Sequence, residues 1–149
     1  MMIKQATIKE LKTLAPLFDA YRQFYDKISD IKSAEEFLEA RISNQESVIF
    51  IAYNSDNNAV GFVQLYPSFS STRLKRFWIL NDLFVYSEFR GQGFSKKLID
   101  SAKDLCRNTD ACAMLLETSV TNDIGNSLYP GAGFQLRDDA NFYEWTTNT

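Results

Sequence analysis

A glycine-rich turn follows the apolar run that ends at Val85 and precedes a segment of helical pattern. Gly91 and Gly93 allow the backbone to approach a ligand without interference from a Cβ atom. The free N–H groups in the first turn of the following helix, together with the helix dipole, favour an anion such as a diphosphate. Arg90 adds a fixed positive charge at the same place. These residues predict a phosphate-binding turn between a strand and a helix.

The sequence contains no histidine and two cysteines, Cys106 and Cys112. Nucleophile pairs of the Ser-His or Cys-His kind are therefore excluded within this chain, and acid–base chemistry must rest on carboxylates, tyrosine, cysteine, lysine or water. Two thiols are also too few for a zinc site or a disulfide scaffold. We expect no metal cofactor and a reducing, cytoplasmic location.

Length and charge limit the class of protein further. The 149 residues are 45% hydrophobic and fit one globular domain, spanning residues 1–149. The net charge of −3 and the pI near 5.0 argue against broad nucleic-acid binding and favour cationic small molecules as partners. Since no run of about 18 uncharged apolar residues occurs, we expect no membrane association.

A first helix is expected to end in an aromatic cluster. The capping-box pattern of Thr7 and Glu10 predicts that this helix begins there. Apolar residues then recur at helical spacing, and the ordinary interpretation of such a stripe is a core face. Tyr21, Phe24 and Tyr25 place aromatic rings and polar groups at the end of the helix, which also suits the wall of a substrate pocket.

The remaining segments alternate between strand-like and helix-like patterns. Ser33 and Glu36 have the spacing of a second capping box, which predicts a helix over residues 33–43, and residues 67–72 have the composition of a loop. Predicted strands occupy residues 2–6, 47–53, 59–66, 76–85, 113–118, 134–136 and 142–146. This order predicts a mixed α/β fold, with a central sheet of about seven strands flanked by about four helices.

Two other phosphate-binding motifs fit the sequence poorly. A Rossmann site needs Gly-x-Gly-x-x-Gly after the first strand of a repeated βαβ unit. Here Lys96 occupies the third glycine position, and the turn follows the fourth predicted strand. A Walker loop is excluded because no Gly-x-x-x-x-Gly-Lys-Ser/Thr string occurs.

Residues 90–95, Arg-Gly-Gln-Gly-Phe-Ser, resemble the central motif of the GNAT family of acetyl-CoA-dependent N-acetyltransferases, Arg/Gln-x-x-Gly-x-Gly/Ala. Ser95 stands where the family has Gly or Ala. Residues 122–134 resemble a second family stretch, Asn-x-x-Ala-x-x-Leu-Tyr-x-x-x-Gly-Phe, in which Gly125 replaces the usual alanine. The two motifs occur in the family's order, so the resemblance implies the GNAT fold over nearly the whole chain.

The resemblance also implies a set of residues for acetyl-CoA. Its diphosphate would bind the N–H groups of residues 91–96, and its pantetheine arm would pair like an extra strand with the backbone of residues 83–85. Tyr129 would protonate the departing thiolate, and the alternative is a packed helix aromatic. The implied cofactor-binding residues are Leu83, Phe84, Val85, Arg90, Gly91, Gln92, Gly93, Phe94, Ser95, Lys96 and Asn122.

A finer resemblance concerns the acceptor. Residues 81–85 are similar to the Glu-Asp-Phe/Leu-Phe/Tyr-Val strand of diamine and polyamine acetyltransferases, with Asn81 in place of the glutamate credited with deprotonating the amine. An asparagine orients water but cannot take the proton. Asp82 would bind the substrate ammonium or accept its proton through water, and the alternative is a structural aspartate at a strand bulge. The matching aromatic residues of the first helix are Tyr21, Phe24 and Tyr25.

We therefore expect direct transfer of acetyl from acetyl-CoA to a primary amine, with Tyr129, Asp82 and Asn81 as candidate catalytic residues. Asp82 and the acidic balance favour a small cationic amine, such as a polyamine or an amino acid. Two alternatives stay open: a non-catalytic acyl-CoA binding or sensing domain, and an acetyltransferase acting on protein lysines or N-termini. Because family members are often dimers, a homodimer is a further expectation, although no residue here specifies an interface.

Overall fold

Five strands and four α-helices form over residues 1–147, which a computed structural model of the protein describes. The elements are β1 (Met2–Gln5), a 3-10 turn (Ile8–Glu10), α1 (Leu11–Phe24), α2 (Ile31–Ser43), β2 (Val48–Tyr53), β3 (Ala59–Ser70), β4 (Lys75–Val85), a second 3-10 turn (Ser87–Phe89), α3 (Phe94–Asn108), β5 (Met114–Leu115) and α4 (Asp123–Gly131). Within this part of the chain, no helix is long and apolar enough to cross a membrane. The chain divides into two compact units, Met1–Glu117 and a second that begins at Thr118, and each is described by itself.

All five strands of the first unit lie in one sheet, in the order β1-β2-β3-β4-β5. Neighbouring strands are antiparallel except β4 and β5, which run in parallel, so the sheet is mixed as expected. Buried leucines of α1 and α2 join one apolar cluster with Phe62 of β3. Helix α3 contacts β2, β3 and β4.

A β-bulge at Asn81 interrupts the pairing of β3 with β4. Gln64 pairs with Asp82, but the next residue of β3, Leu65, pairs with Leu80. Asn81 is therefore the extra residue on β4, and it is exposed where its neighbours on both sides are buried.

The bulge reverses the alternation of side chains along β4, so even-numbered residues before and after it lie on opposite faces of the sheet. Asp82 shares the face of Phe62, which the aromatic rings of α1 contact. Leu80 and Trp78 share the other face. There the Nε1 of Trp78 donates a hydrogen bond of 2.9 Å to the Oγ1 of Thr109, the residue that follows α3.

Of the two predicted capping boxes, one is present in the structure. The first capping box is confirmed, since the Thr7 backbone N–H donates to the Glu10 carboxylate at 3.1 Å and the Thr7 side chain accepts from the helix. The second box is wrong. Asp30 caps α2 instead, because its carboxylate accepts from the Ser33 backbone N–H at 3.1 Å, and the helix therefore begins at Ile31.

The number of strands is the principal correction. We expected about seven strands, and residues 134–136 and 142–146 form none. Side-chain hydrogen bonds in this region are local, from Arg137 to Asp139 at 2.8 Å and from Thr146 to Glu144 at 2.8 Å. Apolar composition predicted strands there, but a strand also needs a neighbouring chain to complete its ladder of hydrogen bonds.

Two strand lengths also differ from expectation. Residues 67–70, expected in a loop, continue β3 because they pair with the first residues of β4, from Pro67 with Trp78 to Ser70 with Lys75. Strand β5, expected over residues 113–118, has only two residues because only Met114 and Leu115 pair with β4.

Candidate active site

The glycine-rich turn has the geometry of an anion-binding loop. Gly91 and Gly93 have φ angles of +76° and +89°, a region that favours glycine, and a Cβ atom at either position would meet nothing within 4 Å. Gly93 caps α3 without a side-chain hydrogen bond. Among the described residues, the backbone N–H groups of Phe94, Ser95 and Lys96 have no acceptor. These free donors and the open space fit a diphosphate.

Arg90 turns back from this loop toward β4 and α1. Its Nε donates to the carbonyl oxygen of Val85 at 2.9 Å. Its guanidinium carbon lies 5.3 Å from the centre of the Phe24 ring and 5.7 Å from that of Phe84. The Arg90 guanidinium, predicted to lie at the phosphate loop, therefore lies over two aromatic rings.

The edge of β4 next to the loop is open. Strand β5 pairs only with Trp78 and Ile79 of β4. Over residues 80–85, no strand of the described chain pairs with this edge, while β3 occupies the other edge. An extended ligand can therefore pair with the backbone near Leu83, as the resemblance implies for pantetheine.

Asp82 is buried, with 4% of its surface exposed, and is surrounded by neutral hydrogen-bond donors. Gln64 Nε2 donates to its Oδ2 at 2.6 Å, and Asn81 Nδ2 donates to its Oδ1 at 3.1 Å. The Tyr21 hydroxyl also bonds to it. Burial outweighs these bonds and raises the pKa of the Asp82 carboxyl above its ordinary 3.8. Within residues 1–147 no cation pairs with this carboxylate, so it can hold an ammonium group or take up a proton.

Sequence reasoning missed two polar residues beside Asp82. Gln64, directly opposite on β3, is fully buried, and its Oε1 has no hydrogen-bond partner in the described chain. Tyr66, two residues further along β3, has its pKa raised to about 12 by burial and by the charge of Asp82, so its hydroxyl stays protonated at neutral pH. The available signal was a pair of polar residues at alternate positions in an otherwise apolar strand.

The aromatic residues at the end of α1 do come together with β4. The Tyr21 ring centre lies 6.2 Å from that of Phe84 and 5.1 Å from that of Tyr25. Phe24 lies 6.3 Å from Phe84. Since Phe24 and Tyr25 are 57% and 50% exposed, this cluster forms a wall that a ligand can reach, and its Tyr21 is hydrogen-bonded to Asp82.

A buried carboxylate fixes the end of α1. Asp19 accepts hydrogen bonds from the Ser29 hydroxyl and the Asp30 backbone N–H, both at 2.7 Å, and from the Gln23 amide at 3.1 Å. All three donors belong to the end of α1 or to the turn into α2. Asp19 therefore ties the end of α1, which carries the exposed aromatic residues, to the turn into α2.

The second unit carries the other two predicted residues. Asn122 caps α4: its Oδ1 accepts from the Gly125 backbone N–H at 3.1 Å, and its Nδ2 donates to Thr118 Oγ1 at 2.8 Å. A Cβ atom on Gly125 would lie 2.5 Å from that Nδ2 and 3.3 Å from the Tyr129 ring, so this glycine permits both approaches. The Tyr129 ring packs edge-on against Phe134 at 5.7 Å.

Comparison with known proteins decides the family. The sequence model of the Acetyltransferase (GNAT) family matches residues 14–134, which is most of the chain. The chain belongs to the GNAT family of acetyltransferases. It is 42% identical to the uncharacterized N-acetyltransferase YhfO of Bacillus subtilis over 148 residues, covering 99% of this chain and 97% of that one. It is 32% identical to a probable acetyltransferase of Haemophilus influenzae, covering 97% of both chains.

The GNAT fold is confirmed by a solved structure. The crystal structure of a probable acetyltransferase superposes with a TM-score of 0.95 at 42% identity, covering 100% of this chain and 99% of that one. The protein is thus an acetyltransferase of the GNAT type, and enzymes of this family use acetyl-CoA as co-substrate with an acceptor. Within the described residues, no group of three or more His, Cys, Asp or Glu side chains could hold a metal ion.

Proposed function

We propose that this acetyltransferase transfers acetyl directly from acetyl-CoA to the primary amine of a small cationic compound, such as a polyamine or an amino acid. The observation that carries the proposal is Asp82, a buried carboxylate whose hydrogen-bond partners are all neutral. An ammonium group would supply the missing countercharge, since buried charges in proteins are ordinarily paired. The exposed aromatic wall of Phe24 and Tyr25 would cover the apolar part of such a compound.

The acceptor must lose a proton before its nitrogen can attack. Asp82 is suited to take that proton, directly or through water, because burial raises the pKa of its carboxyl toward the working range of a general base. Asn81 cannot serve as the base, because an amide does not accept a proton at neutral pH. Its amide instead donates to Asp82 and orients the carboxylate.

Acetyl-CoA supplies the activated acetyl group and a thiolate leaving group. The N–H groups of residues 91–96 would hold its diphosphate, and the open backbone of residues 83–85 would hold its pantetheine arm. Asn122 would add a hydrogen bond, and the Tyr129 hydroxyl would donate a proton to the departing sulfur. The family model matches residues 14–134, which include part of each unit, so we propose that residues 1–149 act as one catalytic domain. We also propose a cytoplasmic location, where free thiols such as those of Cys106 and Cys112 stay reduced.

An acceptor panel tests the proposal. Purified protein is assayed for CoA release with polyamines, amino acids, aminoglycosides, a peptide N-terminus and a protein lysine. We expect turnover with small amines, and reaction with the peptide or protein alone would contradict the proposal. Thermal unfolding with saturating acetyl-CoA tests cofactor binding separately, because a ligand of the native state must raise the melting temperature.

A further inference from the structure

Both cysteines of the chain and one of its three methionines line a single pocket. They are Cys106 near the end of α3, Cys112 in the segment that follows, and Met114, the first residue of β5. The pocket has a volume of about 220 Å³, and all three residues are half-buried beside it. The other two methionines, Met1 and Met2, begin the chain. The soft ligand atoms of the protein are therefore concentrated in one place.

Backbone hydrogen bonds hold these three residues at the pocket. The turn after α3 reverses the chain, so that the Ala111 N–H donates to the carbonyl oxygen of Cys106 at 2.9 Å. The next residue, Cys112, donates its N–H to the carbonyl oxygen of Arg76 in β4 at 2.8 Å. Met114 then pairs with β4 as part of the sheet. The helix end and the strand start that carry the sulfur atoms are thus fixed close to each other.

The types of these ligand atoms select among metal ions. Zn²⁺ takes four ligands, chosen from thiolates, imidazoles and carboxylates, and residues 1–147 contain no group of three or more such side chains that could hold a metal ion. Two thiolates with a thioether are instead the soft donors that Cu(I) prefers. Lys103 and Arg107 line the same pocket. Their positive charges would offset the net negative charge of one Cu(I) bound to two thiolates.

We propose that Cys106, Cys112 and Met114 form a binding site for Cu(I), with two thiolates and one thioether as its ligands. Each thiol would give up its proton when the ion binds. The site is separate from the acceptor site, because Met114 pairs with Trp78, which lies four residues before Asp82 and on the other face of the sheet. Cu(I) would therefore be a ligand of its own and not a cofactor of acetyl transfer.

Competition with bicinchoninate, a chelator that forms a coloured complex with Cu(I), tests the site. Reduced protein is titrated into this complex without oxygen, and the loss of colour measures the transfer of Cu(I) to the protein. We expect one equivalent to be transferred per chain, and both thiols of the loaded protein to resist alkylation. X-ray absorption of the loaded protein should show three sulfur neighbours around the copper. Absence of transfer, or nitrogen and oxygen neighbours in place of sulfur, would overturn the proposal.

Single substitutions assign the ligands. Cys106→Ser and Cys112→Ser should each lower the affinity for Cu(I) by at least about 100-fold, and Met114→Leu by about tenfold because a thioether carries no charge. Met2→Leu is the matched control, since it removes a methionine of β1 that is 49% exposed and should leave the affinity unchanged. Equal effects of the two methionine substitutions would contradict the proposal. Binding retained by the Cys106→Ser, Cys112→Ser double variant would show adventitious binding only and would also overturn it.

Discussion

Replacement of Asp82 by asparagine should make the protein more stable and less active. The carboxylate is 4% exposed, and bringing a charge inside costs several kcal/mol. Three neutral hydrogen bonds return about 1.5–3 kcal/mol each. They do not offset the cost, since the pKa of the Asp82 carboxyl is raised above 3.8. Asp82→Asn removes the charge and keeps the size. Its new NH2 group would face Gln64, whose Oε1 has no partner and can accept from it once the Gln64 amide turns over, so we expect a gain on the order of 1–2 kcal/mol at pH 7.

The gain should depend on pH with a definite sign. Because the folded-state pKa lies above the ordinary 3.8, the native protein binds this proton more tightly than the unfolded chain does. Well below the ordinary pKa the carboxyl is protonated in both states and does not lower the free energy of unfolding. Above the folded-state pKa its charge lowers the free energy of unfolding by the full amount. The advantage of Asp82→Asn should appear at neutral pH and vanish as the pH falls toward 4.

Urea unfolding of both proteins across pH 4 to 8 measures this difference, and kcat/KM with the best acceptor measures activity. We expect kcat/KM to fall by roughly 10²- to 10⁴-fold, the usual contribution of a general base. Asp104→Asn is the control, because this exposed carboxylate pairs with Arg107 at 2.9 Å on the surface of α3 and should change stability by less than about 0.5 kcal/mol. A loss of stability in Asp82→Asn at pH 7, with activity retained, would show that Asp82 is a structural residue of the bulge.

Three further substitutions test the neighbours of this carboxylate and the cofactor site. Gln64→Met removes a donor to Asp82 and also a buried Oε1 that has no partner, so stability should change by less than about 1 kcal/mol. Loss of the donor should move the acid limb of the kcat/KM profile to higher pH. A loss of stability with an unmoved acid limb would mean that Gln64 only packs. Gly93→Ala places a Cβ at a φ of +89°, which should destabilise the fold by about 1–2 kcal/mol and raise the KM for acetyl-CoA. An unchanged melting temperature and an unchanged KM would refute this. Tyr129→Phe should lower kcat roughly 100-fold and leave the affinity for acetyl-CoA, measured by calorimetry, unchanged. An unchanged kcat would exclude the hydroxyl as the acid.

Local patterns predicted those features that depend on neighbours in sequence. The capping box at Thr7 forms because its hydrogen bonds join residues two or three apart, with Lys9 and Glu10. Gly91 and Gly93 have the positive φ angles that the sequence suggested. Tyr21 and Asp82 are 61 positions apart, and the family resemblance, not a local pattern, predicted both at the acceptor site; the two are hydrogen-bonded.

Features that depend on distant contacts were not predicted. The sequence placed Arg90 at the phosphate loop, but the position of its side chain depends on Phe24, which only the packing of α1 on β4 brings near. Gln64 was missed because its polar position in an apolar strand does not show which residue lies opposite it in the sheet. The last two predicted strands failed for a related reason, since composition does not specify a pairing partner.

The position of Asp82 depends on a single extra residue in β4. Side chains alternate along a strand, so without the bulge Asp82 would share the face of Leu80 and Trp78, away from Tyr21. Asn81 creates the bulge, and its amide also donates to Asp82. A carboxylate at position 81 could not donate, and its charge would compete with that of Asp82 for the same proton. With an amide at position 81, Asp82 is the carboxylate at the bulge on which, in our proposal, the acid–base chemistry of the acceptor site depends.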